Sequence, residues 1–140
     1  MPNRQLIAVA GSLVLVVCAA PVTATQDAEP LYVCATPAGT RTLEMGITIC
    51  DAAPTDALKE RMEVNNLQLK AGVLVTDVVT DSVLQIAGLE ADDVIFRVGG
   101  VDVANGVEVT ARLSLIEEAA DTVVNFLRRG RPYRVKIRRP

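Results

Sequence analysis

The chain has 140 residues, with 14 Lys and Arg against 17 Asp and Glu and a formal net charge of −3. It contains no His and no Trp, and only two Tyr and two Phe. The missing imidazole excludes Ser-His-Asp and Cys-His catalysis and His-containing zinc sites. The few aromatic residues and the acidic balance argue against nucleic acid as a partner. Composition therefore favours a binding module over an enzyme.

Residues 1–24 have the pattern of a secretory signal peptide. Arg4 supplies a positive start, residues 6–20 carry no charge, and Val22-Thr23-Ala24 offers small residues at a cleavage site. The apolar run is shorter than the roughly 20 residues that span a bilayer. A retained membrane anchor formed by residues 6–20 is the alternative, and a lipoprotein site at Cys18 is disfavoured by the Val before it. Export to a periplasmic or extracellular compartment is predicted.

Two half-cystines remain after removal of this segment. Cys34 and Cys50 form an even pair in an oxidising compartment, so a disulfide between them is predicted. Two free buried thiols are the alternative. Two Cys without His make half a metal-ligand set, so no metal and no cofactor is expected. Residues 25–40 are interpreted as an N-terminal extension that carries one half-cystine, and residues 41–140 as the folded domain.

The rest of the chain predicts short strands and helices in alternation. The predicted elements are strands at 31–36 and 43–50, a helix at 54–63, a strand at 72–80, a helical turn at 83–87, a strand at 94–98, a helix at 105–119, and a hairpin of 122–127 and 133–138. Pro54 suits the first position of a helix, Ser82 an N-cap, and Gly88 a left-handed helix stop. These elements predict a small α+β domain, a partly open barrel or sandwich of five to six strands with two or three short helices.

One stretch carries a family resemblance. Residues 72–100, GVLVTDVVTDSVLQIAGLEADDVIFRVGG, resemble the signature of bacterial PDZ domains of the kind found in HtrA-type serine proteases. Met45-Gly46-Ile47 lies where such domains carry their carboxylate-binding loop, and residues 105–119 lie where they carry the groove helix. Asp92 and Gly99 depart from the family pattern, at turn positions that both residue types tolerate. No protease domain is recognisable, so a stand-alone PDZ-like module is expected.

The resemblance implies a mechanism of strand addition. An extended peptide would pair with the edge of the strand after Gly46, and the amides of Met45, Gly46 and Ile47 would hold its terminal carboxylate. A side chain on Gly46 would block this approach. The side chains expected to line the groove are Thr48, Ile49, Val109 and Leu113. Val109 and Leu113 have the alternative of facing the core. The pocket of Met45, Ile47 and these apolar side chains would prefer an apolar C-terminal residue.

Three functions are compatible with these patterns. The first is an exported module that captures protein or peptide C-termini or extended segments, as an adaptor for envelope proteolysis or assembly. The second is a structural subunit whose groove is filled by its own segment Leu31–Thr36, which Cys34 would tie beside Cys50. The third is a PDZ component of a secretion complex, held at the membrane by residues 6–20. Catalysis is not expected, because Ser82 is a helix cap and no other nucleophile has a base.

The C-terminal hairpin concentrates positive charge. The basic residues of this cluster are Arg128, Arg129, Arg131, Arg134, Lys136, Arg138 and Arg139. They could attract an acidic partner or anionic lipid. Their alternation with Tyr133, Val135 and Ile137 equally fits the solvent face of an ordinary edge hairpin.

Overall fold

Eight strands and three helices form the part of the chain that the structure describes. The computed structural model describes residues 11, 16, 29–116 and 120–138. The elements are β1 (Tyr32–Cys34), β2 (Arg41–Leu43), β3 (Ile47–Pro54), α1 (Asp56–Asn65), β4 (Val73–Val78), α2 (Val83–Ala87), β5 (Val94–Val98), β6 (Val101–Asp102), α3 (Gly106–Ser114), β7 (Asp121–Arg128) and β8 (Arg131–Arg138). Nearly all of the predicted signal peptide, including Cys18, lies outside the described residues, as does Arg139. Among the residues that are described, no helix has the length and apolar character needed to cross a bilayer.

All eight strands pair antiparallel in one open sheet. The main order is β1-β3-β4-β5-β7-β8, with β2 paired to β3 and β6 paired to β5. The predicted α+β class is confirmed. The described strands number eight rather than five or six, because β2 and β6 are only three and two residues long. Such short strands owe their conformation to a neighbouring strand and leave little periodic signal.

The sheet has a buried core on each face. The first core contains Ile47, Ile49, Val73, Val75, Leu84, Leu89, Ile95, Val98, Val103, Val109, Leu113, Ile116, Val124, Phe126 and Ile137. The second contains Tyr32, Cys50, Leu58, Leu74, Val94, Phe96 and Leu127. Neighbouring residues of a strand point to opposite faces, so Ile49 and Cys50 enter different cores. Burial on both faces explains the apolar run Val73–Val75 at the start of β4, whereas Thr76 and Asp77 further along the strand are exposed.

Helix α1 begins two residues later than predicted, at Asp56. Its N-cap is Thr55, whose Oγ1 accepts a hydrogen bond from the Leu58 N–H at 3.4 Å. Pro54 is the last residue of β3 and pairs with Tyr32. The prediction that Pro54 opens the helix is therefore wrong. Pro54 instead ends β3, whose last three residues pair with β1.

Helices α2 and α3 follow their caps. The Ser82 side chain caps α2, and Gly88 ends it with φ +111°, as predicted. Asn105 caps α3 through a hydrogen bond that its Oδ1 accepts from the Glu108 N–H at 3.0 Å. The helix ends at Ser114, earlier than the predicted 105–119, and residues 117–119 lie outside the described ranges.

The β7–β8 hairpin closes on a two-residue loop. Arg129 and Gly130 have φ +53° and +76°, a combination that matches a type I′ turn. This turn is shorter than the predicted 128–132, so both strands extend closer to it. The apolar side chains of β8 differ in burial, since Ile137 is buried in the first core whereas Tyr133 is 50% exposed.

Candidate functional site

The outer edge of β3 is the edge to which a peptide is expected to add. A strand has two edges, and β4 occupies one of them along Ile47–Asp51. On the other edge, β2 pairs with the start of β3 in the register Arg41↔Ile49, Thr42↔Thr48 and Leu43↔Ile47. The chain's own strand thus occupies the expected ligand position.

β1 covers the remaining half of the same edge. Tyr32–Cys34 pairs with Ala52–Pro54, and the Ala35 N–H donates to the Asp51 carbonyl at 2.8 Å. The self-filling segment predicted from the sequence was Leu31–Thr36. The structure corrects this assignment, because that segment lies against the far half of β3 and β2 covers the half that follows the glycine turn.

The turn between β2 and β3 contains the predicted carboxylate-binding residues. The Gly46 N–H donates to the Leu43 carbonyl at 3.0 Å, and the Gly46 carbonyl accepts from the Val79 N–H at 2.7 Å. Gly46 has φ +91°, and a Cβ on it would lie 2.2 Å from the Ser82 Cβ. Glycine is therefore required for a left-handed conformation and for close packing against the start of α2. Met45 is half-buried and contacts the first core.

Three of the four predicted groove side chains are buried, and the fourth is partly buried. Ile49 and Val109 are 0% exposed and Leu113 is 4% exposed, and all three belong to the first core together with Ile47. This agrees with the alternative that Val109 and Leu113 face the core. Thr48 is only partly buried, and its Oγ1 lies 3.0 Å from Thr42 Oγ1.

Helix α3 is fixed beside β3 by its N-terminus. The Gly106 N–H donates to Asp51 Oδ1 at 2.7 Å. A Cβ on Gly106 would lie 3.7 Å from Ile49 Cδ1, so the start of the helix packs closely against β3. A carboxylate near the first turn of a helix also favours the helix dipole. The helix and β3 therefore keep a fixed spacing, which a groove between them needs.

A disulfide joins the two predicted half-cystines. Cys34 of β1 and Cys50 of β3 are bonded, with their Cα atoms 5.5 Å apart. The closed loop includes all of β2, so the strand that covers the edge is held in a short cyclic segment. Disulfides of this kind persist in oxidising compartments.

One of the basic residues near the hairpin turn, Arg128, has a structural role. Asp93 is 1% exposed and accepts two hydrogen bonds from Arg128, at 2.9 Å from Nε and 2.7 Å from Nη2. This pair raises the pKa of the Arg128 guanidinium above its usual value. Arg128 also donates to the Gly88 carbonyl at 2.7 Å, which ties β7 to the end of α2. Within the described residues, no group of three or more His, Cys, Asp or Glu is arranged to hold a metal ion.

Residues of β2 lie at the candidate site, although the sequence patterns did not select them. Leu43 is half-buried and packs against the first core, beside the glycine turn. A local signal was present, since a Thr-Leu pair precedes a three-residue loop that ends in glycine. The turn signal was overlooked because residues 43–50 also fit a single strand that continues through Gly46.

Among known proteins, this chain is similar to solved structures but matches no family model and no curated sequence. The HtrA-type protease AlgW with a decapeptide is similar at 21% identity and a TM-score of 0.52, over 72% of this chain and 30% of that one. The HtrA3 PDZ domain bound to a phage-derived ligand (FGRWV) is 21% identical with a TM-score of 0.51, over 71% of this chain and 86% of that one. At such identities the likeness establishes the fold, which corresponds to a whole PDZ domain and to less than a third of the AlgW chain.

Proposed function

We propose that this chain, which has a PDZ-like fold, is an exported peptide-binding module whose binding edge is covered by its own strand β2. An incoming peptide would displace β2 and add to Ile47–Ile49 in its place. The proposal assigns Met45, Gly46 and Ile47 to the terminal carboxylate. Export is supported by the Cys34–Cys50 disulfide and by the predicted signal sequence.

The direction of β2 is the observation that carries this proposal. β2 runs antiparallel to β3, and its last residue, Leu43, lies beside the glycine turn. A peptide in the same orientation would bring its C-terminus to that turn. Leu43 also packs against the first core, so the position accepts an apolar side chain. β2 thus occupies the edge in the orientation expected of a ligand.

Displacement of so short a strand is energetically feasible. β2 has three residues, and Leu43 is its half-buried member whereas Arg41 and Thr42 are exposed. Half-burial of a Leu side chain is worth about 1 kcal/mol. A covering strand of this strength reduces the apparent affinity for a ligand by roughly fivefold, because only the uncovered fraction binds.

A charged substitution in β2 tests the proposal. Leu43→Asp places a carboxylate against the first core and should release β2 from the edge. Thr40→Asp is the matched control, since it adds the same charge at an exposed residue just outside β2. Peptides with an apolar C-terminal residue, as free acids and as amides, are titrated against each variant by isothermal calorimetry. We expect the Leu43→Asp variant to bind the free acid roughly fivefold more tightly than the Thr40→Asp variant, and neither variant to bind the amide.

A structural subunit with a permanently closed edge is the second candidate function. It is favoured by the fact that strands of the same chain pair with both halves of the outer edge of β3. Absence of free-acid binding to the Leu43→Asp variant, with its fold intact by circular dichroism, would contradict the binding module and support the closed subunit. Equal binding of acid and amide would contradict carboxylate capture.

A further inference from the structure

We propose that the outer edge of β8 is a second docking surface, for an extended peptide in which acidic and apolar residues alternate. β8 ends the sheet, and among the described residues it pairs with β7 alone. It is eight residues long, whereas the covered start of β3 offers three. This surface is distinct from the β3 edge of the proposed function.

The hairpin loop determines which backbone groups of β8 point outward. In a hairpin with a two-residue loop, the residues that flank the loop, here Arg128 and Arg131, exchange hydrogen bonds, and the pattern then alternates along the strands. The outward-pointing N–H groups therefore belong to Arg134, Lys136 and Arg138. The remaining outward position is Pro132, which has no N–H to leave unpaired.

The side chains of the same residues give this edge a positive face. Arg134, Lys136 and Arg138 are exposed and share one face of the strand. Arg138 pairs with Asp121 at 2.9 Å, whereas no described carboxylate lies within salt-bridge distance of Arg134 or Lys136. A bound strand with Glu or Asp at every second position would place its carboxylates beside these cations.

The opposite face of the edge is apolar. Tyr133 is 50% exposed and its ring stacks on Phe126 at a centroid distance of 6.0 Å, and Val135 beside it is half-buried. The alternate side chains of an added strand would extend this apolar surface. The two faces together thus select an alternating sequence over an acidic sequence of any order.

A second copy of the chain is a poor occupant of this edge. Pairing of β8 with β8 of another copy would bring Arg134 and Lys136 next to like charges, which destabilises directly opposed strand pairs. Charged side chains at an edge protect it from indiscriminate pairing. The same charges favour a partner of opposite charge, so an acidic peptide is the occupant that complements the β8 edge.

The test uses a dye-labelled peptide of seven residues with Glu at odd positions and Val at even positions. Both of its ends are blocked, so it has no carboxylate terminus for the β3 edge, and its failure would leave the proposed function untouched. A peptide of the same composition with its Glu residues in one block is the control. Fluorescence anisotropy should show about tenfold tighter binding of the alternating peptide, weakened by added salt.

Substitutions at one residue separate backbone pairing from surface charge. Lys136→Gln removes the charge and keeps the outward N–H, whereas Lys136→Pro removes both, so Lys136→Pro should bind roughly tenfold more weakly than Lys136→Gln. Lys136→Glu reverses the charge and should weaken binding roughly tenfold. Lys59→Glu, at an exposed residue of α1, is the matched control and should leave binding unchanged. Equal binding of the two peptides, or equal binding of the Lys136→Pro and Lys136→Gln variants to the alternating peptide, would overturn strand addition at β8.

Amide exchange gives a readout that needs no variant. Because the outward N–H groups of Arg134, Lys136 and Arg138 would donate to the added strand, their exchange with solvent should slow at least tenfold when the alternating peptide is present in excess. Unchanged exchange at these three amides in the peptide-bound protein would also overturn the proposal.

Discussion

Removal of the disulfide tests how strongly the loop that contains β2 is constrained. The double variant Cys34→Ala/Cys50→Ala keeps both Cβ atoms and removes the covalent link. The two half-cystines are 16 residues apart in sequence. For a loop of this length the chain-entropy model gives about 3 kcal/mol of lost stability. Cys50 is 2% exposed, so the loss of its buried sulfur adds a smaller term of the same sign.

Urea unfolding followed by circular dichroism measures this loss. The free energy of unfolding of the double variant should be about 3 kcal/mol lower. The dependence on urea should be steeper, because an unlinked unfolded chain exposes more surface. The wild-type chain under reducing conditions is the control and should match the variant apart from the smaller term for the Cys50 sulfur, which it retains. A loss below about 1 kcal/mol in both samples would refute the reasoning, since it would mean that the unfolded loop is restrained without the bond.

Three further predictions concern single residues. Asp93→Ala leaves the Arg128 guanidinium without its carboxylate and should cost about 3 kcal/mol in urea unfolding. Asp93→Asn also removes the charge but keeps an acceptor oxygen, so it should cost less, and equal losses would contradict a contribution from hydrogen bonding beyond charge. Burial raises the pKa of Tyr32 above 10.0, so the stability that its neutral hydroxyl contributes is complete below pH 10.0 and is lost as the pH rises through the folded-state pKa. In Tyr32→Phe the free energy of unfolding should fall less steeply across that pH range, and an unaltered fall would exclude Tyr32 as its source. Gly46→Ala should lower thermal stability by at least about 1 kcal/mol more than Gly100→Ala. Both glycines have positive φ, but only a Cβ on Gly46 would meet neighbouring atoms within 4 Å. Equal losses would exclude close packing as the reason for glycine at residue 46.

Local chemistry made several elements predictable. Helix α2 is only five residues long, yet Ser82 and Gly88 mark its two ends because each satisfies backbone groups within one turn. The apolar start of β4, Val73–Val75, was equally readable, since burial on both faces removes the need for polar residues there. The likeness to PDZ domains rested on these two elements and on β5, and the structural similarity to a solved PDZ domain confirms the fold.

Pairing between segments was not predictable from the same signals. The strand character of Arg41–Leu43 comes from β3, which supplies the partner register, and nothing in three residues encodes that partner. Pro54 fits the start of a helix and the end of an edge strand equally well, and only β1 decides between them. The helical spacing of Val109 and Leu113 marks one apolar face without saying what covers it.

Attachment at both ends has a kinetic consequence for β2. One end continues through the glycine turn into β3, and the other leads back to the disulfide at Cys50. A released β2 therefore stays within a few residues' reach of its edge, at an effective concentration in the millimolar range set by its tethers. Dilution of the protein cannot uncover the edge, and closure after ligand departure needs no second molecule. Occupancy would then depend on the free concentration and affinity of the ligand, and would reverse without any proteolytic step.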